Sequence, residues 1–237
     1  MINISIVIPT YNERENIEPL LKQWKSVIEK RQEKLEIIVV DDNSPDGTAN
    51  EVRAFLPVIE NLRLIQNEDR NGISAAWVVG CQESRGEYIG LMDADLCHSP
   101  KDVMLLFDTC CSENIDMVIG SRYLTSPKGM TRKSLAANLA SQIAQRLIRM
   151  LFQIELSDAT HSFRVFKKDL VTQILPNVKS KGNTWLMEFT LLAGKSECKI
   201  FELPISYGER TFGETKLSLQ KEGLRFLWRL FILRIKL

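Results

Sequence analysis

The sequence lacks the features of secreted, membrane-spanning and nucleic-acid-binding proteins. Its first residues, MINISIVIPTYNE, contain no basic segment followed by a long apolar core, so we expect no signal peptide. No run reaches the roughly 20 uninterrupted apolar residues of a membrane-spanning helix. Lysine and arginine total 31 against 30 for aspartate and glutamate, and the resulting net charge of +1 gives no reason to expect nucleic acid as a partner.

Cysteine is also sparse and shows no useful spacing. The 5 cysteines are an odd number, and they form neither a CxxC pair nor a zinc-ligand pattern. Two of them, Cys110 and Cys111, are adjacent in the sequence. This arrangement argues against a disulfide framework, and we expect a reducing compartment.

Glycine-rich phosphate-binding loops are missing as well. No GxGxxG follows a predicted strand, and no GxxxxGK[ST] segment occurs. A nucleotide bound by this chain would therefore need another means of neutralising its phosphates.

The chain does contain a regular alternation of apolar runs and helical patterns. Hydrophobic residues make up 44% of the 237 residues, which is enough for a sizeable core. This alternation predicts an α/β fold, with a Rossmann-like, mostly parallel sheet and helices on both faces. The predicted strands are Ile4–Ile8, Glu36–Val40, Leu62–Gln66, Tyr88–Met92 and Met117–Gly120, and the predicted helices between them are Glu13–Glu29, Thr48–Leu56, Ile73–Gln82 and Pro100–Cys111, the last beginning after Ser99.

Polar clusters follow three of these strands at the point where each strand ends. They are PTYNE (9–13), DDNSPDG (41–47) and DAD (93–95). In a parallel sheet these strand ends lie at one edge, which is where such folds bind ligands. Mg²⁺ and Mn²⁺ prefer oxygen ligands, and Mg²⁺ commonly takes one or two carboxylates together with substrate phosphates. Asp93 and Asp95 are therefore predicted to hold a divalent cation that in turn binds a diphosphate.

The motifs, taken together, resemble the family 2 glycosyltransferases with a GT-A fold. The segments IVIPTYNERENI, IVVDDNSPDGTA, RNG, MDADLCHSP and GSRY occur in this order. Within the family they are most similar to the polyprenol-phosphate mannosyltransferases of the dolichol-phosphate mannose synthase type. The resemblance implies an enzyme that moves a sugar from a nucleotide diphosphate to a lipid phosphate with inversion. No QxxRW segment, the signature of processive polysaccharide synthases in the wider family, is present.

The resemblance also implies the roles of particular residues. Asp93, Ala94 and Asp95 would contact the diphosphate, with Mg²⁺ or Mn²⁺ held by Asp93 and Asp95. The base and ribose pocket would be lined by Pro9, Tyr11, Glu13, Val40 and Asp42.

Basic residues downstream would act on phosphates. The segment ERTFGETKLS (209–218) resembles the family's R-x-x-G-x-S-K-L, so Arg210 and Lys216 would join Asp95 as catalytic residues. The alternative for this segment is a solvated basic loop. Arg122 in GSRY is a further candidate for donor phosphate contact, and its alternative is a salt bridge to the acidic rim.

Two departures from the family pattern affect this site. Cys97 replaces the usual Gln, and a thiol is a poor ligand for Mg²⁺ or Mn²⁺. In SDATHSFRVFKK (157–168) the pair His161-Ser162 replaces the family's Ser-Gly, which could alter the loop. Glu188 could serve as a base for a hydroxyl acceptor, whereas a phosphate acceptor is already anionic and needs none.

Two amphipathic segments predict a membrane-facing surface. One is the helical pattern of 132–153, and the other is the C-terminal stretch, which divides the chain into a GT-A domain (1–216) and a membrane-interface helix (217–237). Leu, Phe, Trp and Ile fill most of the second helix, with a basic stripe at Lys221, Arg225, Arg229 and Lys236. The alternative is a helix that covers the core. We expect a peripheral protein on the cytoplasmic side of a membrane, and a small membrane-anchoring subunit is a possible partner.

The sequence favours transfer of mannose from GDP-mannose to a polyprenyl or dolichyl phosphate. Three alternatives remain open: the same chemistry with UDP-glucose or another donor, transfer to a surface glycan, or a non-catalytic subunit that binds a nucleotide sugar. Retention of both Asp93 and Asp95 argues against the last alternative.

Overall fold

The computed structural model describes residues 1–124, 135–205, 208 and 219–236. Strands and helices alternate along most of this length, as the sequence predicts. In chain order the elements are β1 (Ile4–Thr10), α1 (Arg14–Ile28), β2 (Leu35–Asp41), α2 (Thr48–Phe55), β3 (Leu62–Gln66), α3 (Ile73–Glu83), β4 (Tyr88–Leu91), α4 (Pro100–Ser112), β5 (Met117–Ser121), α5 (Leu135–Phe152), β6 (Arg164–Lys167), α6 (Asp169–Ile174) with a 3₁₀ turn at Leu175–Asn177, α7 (Thr184–Lys195), β7 (Ile200–Pro204) and α8 (Leu219–Lys236).

The strands form one seven-stranded sheet in the order β3-β2-β1-β4-β6-β5-β7. β6 pairs antiparallel with both β4 and β5, while the other pairings are parallel. The prediction of a mostly parallel sheet is therefore confirmed. Since β2 lies on one side of β1 and β4 on the other, the strand order reverses at β1, and such switch points open a crevice beyond the carboxyl ends of the strands.

Helices cover both faces of the sheet, because the central strands are apolar on both sides. All seven residues of β1 are buried. Ile6 and Ile8 pack with α1 and α4 on one face, and Val7 packs with α3 on the other. Gly80 lets α3 approach β1 closely, since a Cβ at this position would stand 2.2 Å from a methyl of Val7.

The start of α4 follows its sequence signal. Ser99 accepts a hydrogen bond from the Lys101 backbone N–H at 3.2 Å, and Pro100 occupies the first helical position. The predicted boundaries of β1 to β5 and α1 to α4 agree with the structure to within two residues.

The two predicted amphipathic segments form helices α5 and α8, which meet in a separate small core. Ile148 of α5 packs in one cluster with Leu230 and Leu233 of α8 and with residues of α7. Among the described residues, none of the helices combines the length and the apolar character that crossing a membrane requires.

Candidate active site

The polar segments after β1 and β2 are locked together by hydrogen bonds. The backbone N–H of Asn12 donates to Ser44 Oγ at 3.0 Å, and that of Glu13 donates to Thr48 Oγ1 at 3.0 Å. Asp41 is fully buried and accepts from Ser44 Oγ at 2.6 Å and from Thr10 Oγ1 at 3.0 Å. The first aspartate of the DDNSPDG segment thus fixes its own turn and the end of β1.

Asp42 organises a third loop, which connects β3 to α3. Its Oδ1 accepts from Asn67 Nδ2 at 3.0 Å and from the Asn71 backbone N–H at 2.9 Å, and its Oδ2 accepts from the Gly72 N–H at 2.7 Å. Asp42 is buried, at 3% exposure. The structure therefore places Asp42 at the predicted donor edge, with its two carboxylate oxygens bonded to protein groups.

The same loop brings Arg70 over Tyr11. The guanidinium carbon of Arg70 lies 3.8 Å from the centroid of the Tyr11 ring, which is a cation–π geometry. This contact joins the loop after β3 to the polar segment after β1. Arg70 is not among the site residues predicted from the sequence, and its only signal there is its place in the RNG segment.

Three other residues were predicted to line the donor pocket: Val40 in β2, Pro9 in β1 and Glu13 just before α1. Val40 is fully buried and its side chain belongs to the core. Pro9 stands opposite Val40 in the β1–β2 register. Glu13 accepts from Asn16 Nδ2 at 2.6 Å, at the start of α1.

Asp93 and Asp95 follow β4, next to the end of β1. The Met92 backbone N–H still bonds to the Val7 carbonyl at 3.1 Å, so the DAD segment (93–95) leaves the sheet at the switch point. Asp93 Oδ2 accepts from Ser162 Oγ at 2.7 Å, and Asp95 Oδ1 accepts from the Cys97 backbone N–H at 3.1 Å. Asp93 and Asp95 are partly exposed as residues, although Asp93 Oδ1 is itself buried, and Ala94 between them is buried.

The donor chemistry of Asp93 and Asp95 suits a hard divalent cation. Among the described residues, no group of three or more His, Cys, Asp or Glu side chains is arranged to hold a metal ion by itself. Two carboxylates without a complete protein cage match the way Mg²⁺ binds when substrate phosphates supply further ligands. Cys97 is buried and is not part of a disulfide, and the chemistry of a thiol does not suit these metals.

The loop that supplies Ser162 is fixed from several directions. Glu202 accepts from the backbone N–H groups of Ser157 and Asp158 at 2.6 and 2.7 Å. Arg164 is fully buried and donates to the His161 carbonyl and, at 2.7 Å, to Thr190 Oγ1. Burial lowers the pKa of Arg164 to about 9, so it stays protonated at neutral pH.

This loop adopts no unusual backbone at the position where Ser replaces Gly. Neither His161 nor Ser162 has a positive φ. The substitution is therefore accommodated without the left-handed conformation that glycine would be needed for.

Arg122 lies beside this loop in a bidentate ion pair. Its Nε and Nη2 donate to the two oxygens of Asp158, each at 2.7 Å, and both side chains are largely buried. The structure therefore shows the salt-bridge alternative for Arg122, with Asp158 rather than a carboxylate of the DAD segment as the partner.

The two histidines of the chain meet behind the DAD segment. His98 stacks on Phe163 with the ring centroids 4.2 Å apart, and it meets the His161 ring edge at 4.8 Å. His161 Nδ1 lies 2.6 Å from the Gly120 carbonyl. Burial, followed by the charges of His161 and Arg122, lowers the pKa of His98 well below its usual value, so His98 is neutral in the folded protein.

The hydrogen bonds of Glu188 on α7 go to α8 and to the segment before α7, and not to the DAD segment. It accepts from the backbone N–H groups of Lys179 and Ser180 and from the guanidinium of Arg229 on α8. Burial raises its pKa, but the hydrogen bonds from Ser180 and Arg229 outweigh that effect, and the pKa is lowered. A carboxylate so fully engaged is poorly placed to act as a base.

Arg210 and Lys216 lie outside the described residues. The nearest described position before them, Gly208, donates its N–H to the Cys97 carbonyl at 2.9 Å. At Gly208 the chain therefore lies beside Cys97, two residues after the DAD segment.

The architecture is that of a GT-A glycosyltransferase. A glucosyl-3-phosphoglycerate synthase from Mycobacterium tuberculosis, in complex with Mn²⁺, UDP and glucosyl-3-phosphoglycerate, superposes with a TM-score of 0.72 at 18% identity, covering 98% of this chain and 79% of that one. A mannosyltransferase from Pyrobaculum calidifontis, in complex with GDP-Man and Mn²⁺, has a TM-score of 0.64 at 18% identity, covering 99% of this chain and 64% of that one. At these identities the likeness shows the fold.

Sequence relatives define the family. Residues 5–175 match glycosyl transferase family 2, and the chain belongs to that family. A dolichol-phosphate mannosyltransferase of Pyrococcus furiosus is 34% identical over 238 residues, which cover 96% of this chain and 63% of that protein. A dolichol-phosphate mannosyltransferase of Saccharomyces cerevisiae is 31% identical over 222 residues, covering 92% of this chain and 82% of that one. The chain thus spans less than two thirds of the archaeal relative.

Proposed function

We propose that this protein transfers mannose from GDP-mannose to a polyprenyl or dolichyl phosphate, with inversion, at a membrane surface. The observation that carries the proposal is the position of Asp93 and Asp95 beside the end of β1, at the point where the strand order reverses. The names of the similar mannosyltransferases support the sugar and the lipid acceptor.

The donor would lie across three loops. Tyr11 and Arg70 offer a stacking surface for the base, and Asp42 fixes the loop that carries Arg70. Asp93 and Asp95 would hold Mg²⁺ or Mn²⁺ next to the diphosphate. A cation bound there would neutralise the diphosphate and stabilise it as the leaving group.

The acceptor phosphate is itself the nucleophile. Because it is anionic near pH 7, the reaction needs no general base, and the engagement of Glu188 with Arg229 is consistent with this chemistry. The protein would act by positioning the acceptor and by stabilising charge, with Arg210 and Lys216 proposed as the cationic groups.

A membrane-facing surface is supported by the apolar residues that α5 and α8 leave exposed. Trp228 and Phe231 are 65% and 59% exposed, and their rings stack 6.1 Å apart. The same helices also expose Leu139, Ile143, Met150, Leu227 and Ile235. Side chains of this size gain about 1.5–3 kcal/mol each on full burial, so this surface would favour a lipid interface. We propose peripheral attachment through it, on the cytoplasmic side, with the division at 216/217 separating the catalytic domain from α8.

A transfer assay tests the proposal. Labelled GDP-mannose and labelled UDP-glucose are each incubated with a polyprenyl phosphate in detergent and Mn²⁺, and the label in the organic phase is measured. We expect transfer from GDP-mannose that EDTA abolishes. The variant Asp95→Asn should lose roughly a thousandfold in turnover, because several kcal/mol of charge stabilisation are removed.

The other outcomes identify the alternatives. Transfer from UDP-glucose alone would replace the donor. Nucleotide binding without any transfer would contradict an enzymatic role and favour a non-catalytic subunit. GDP binding that is equally tight with and without EDTA would contradict the cation at Asp93 and Asp95. The exposed Arg234→Gln variant serves as a control that should keep wild-type turnover in detergent.

A further inference from the structure

Ser162 contacts the DAD segment from another part of the fold. Its hydroxyl donates to Asp93 Oδ2 at 2.7 Å, and Ser162 is only 7% exposed. The two residues are far apart in the sequence, and their contact exists because β6 lies next to β4 in the sheet. Ser162 lies in the segment SDATHSFR (157–164), between α5 and β6.

We propose that Ser162 is a positioning residue that fixes the orientation of the Asp93 carboxylate toward the divalent cation, an inference that rests on the proposed function. A hydrogen bond to one carboxylate oxygen restricts rotation of the group and leaves the other oxygen in a defined direction. Such partners of metal-binding carboxylates typically change metal affinity by about 10–100-fold when they are removed.

The loop around Ser162 is rigid enough to act in this way. Glu202 holds Ser157 and Asp158, Arg164 holds the His161 carbonyl, and His161 Nδ1 meets the Gly120 carbonyl. These contacts involve elements on both sides of the loop. The Ser162 hydroxyl is therefore in place before any ligand binds, and orienting the carboxylate costs little entropy at the moment of binding.

Mn²⁺ binding, measured by electron paramagnetic resonance of the free ion in the presence of GDP, tests the inference without relying on activity. We expect Ser162→Ala and Ser162→Gly to bind Mn²⁺ about tenfold more weakly than the wild type. Ser162→Thr should stay near the wild type because it keeps the hydroxyl.

The matched control is Ser157→Ala, which removes a hydroxyl from the same loop. Ser157 Oγ lies 2.6 Å from Ser121 Oγ, so its loss should leave Mn²⁺ affinity unchanged. Circular dichroism establishes that each variant is folded, and if the Ala variant is not, the comparison of Ser162→Gly with Ser162→Thr decides. If the hydroxyl-free variant binds Mn²⁺ within twofold of wild type, Ser162 has no positioning role. If the wild type itself binds no Mn²⁺ with GDP or UDP, the proposed cation site is wrong as well.

Discussion

The Arg229 guanidinium on α8 donates to both carboxylate oxygens of Glu188 on α7, at 2.9 and 2.8 Å. Arg229 also donates to Ser180 Oγ, and its side chain is 17% exposed against 4% for Glu188. The expectation that Arg229 belongs to a basic stripe facing the membrane is therefore wrong. The pair instead fastens the C-terminal helix to the main fold.

Removing Arg229 should destabilise the protein. Arg229→Met leaves the Glu188 charge buried without its cation, and breaking such a pair costs about 3 kcal/mol. The double variant Arg229→Met/Glu188→Gln should recover part of the loss, since no uncompensated charge remains. Urea unfolding measures both, with the exposed Arg234→Gln as the control. A loss below about 0.5 kcal/mol in Arg229→Met, the usual range for a surface substitution, would show that the pair is only a surface contact.

The exposed apolar side chains of α8 should carry membrane binding. Replacing Trp228 and Phe231 by serine removes about 3 kcal/mol of burial energy, or roughly a hundredfold in partitioning to vesicles. Donor binding should not change, because neither residue is part of the donor loops. Co-sedimentation with vesicles containing anionic lipid is the measurement.

Two companion measurements separate apolar from electrostatic binding. Arg234→Gln/Lys236→Gln should weaken binding by about 1 kcal/mol per charge at low salt, and the wild type should approach this variant as salt is added. Equal sedimentation of the wild type and the Trp228/Phe231 variant would indicate that this face binds a protein partner or covers another segment.

Lys216 should act mainly in the transition state. If it stabilises the developing charge on the phosphates, Lys216→Ala will lower kcat much more than it raises KM. Steady-state kinetics with GDP-mannose measure the two effects separately, with Arg210→Ala expected to behave in the same way. An unchanged kcat with a raised KM would show uniform donor binding instead.

The buried His98 should make stability depend on pH. Burial lowers its folded pKa, so the unfolded chain binds a proton that the folded protein does not. Stability is therefore full above the unfolded pKa of about 6.5 and falls as the pH drops below it, by at most about 1.4 kcal/mol per pH unit for one proton. Urea unfolding between pH 7.5 and 5 should show a shallower dependence for His98→Leu. An identical slope in both proteins would exclude this contribution.

The strands and helices of the first half could be predicted because their signals are local. The apolar runs of β1, β2 and β4 predict strands of a sheet that helices cover on both faces, because strands apolar on both sides must be buried on both sides. The DAD segment was placed at the ligand edge by the same reasoning. The pairing of β6 between β4 and β5 could not be predicted, because Arg164–Lys167 is a short run whose neighbours are decided by long-range contacts.

The clearest case in which hydrophobic periodicity was insufficient for prediction is the face that α8 buries. Its sequence is compatible with a basic stripe facing outward, but burial of Leu230 and Leu233 turns the helix so that Arg229 meets Glu188. The apolar residues Leu227, Trp228 and Phe231 are then left on the exposed side. The hydrophobic pattern alone does not decide which of two apolar faces is buried, because that depends on which face packs against the rest of the fold.

The sequence by itself determined the α/β class, the family and the position of Asp93 and Asp95 at a strand end. These depend on short motifs and on periodicities that the backbone geometry imposes. Only the tertiary structure decided which polar groups are bonded to each other: Arg122 to Asp158, Asp42 to the loop before α3, and Ser162 to Asp93. Contacts of this kind join residues that are distant in the sequence, and the packing of the whole sheet and its helices sets their geometry.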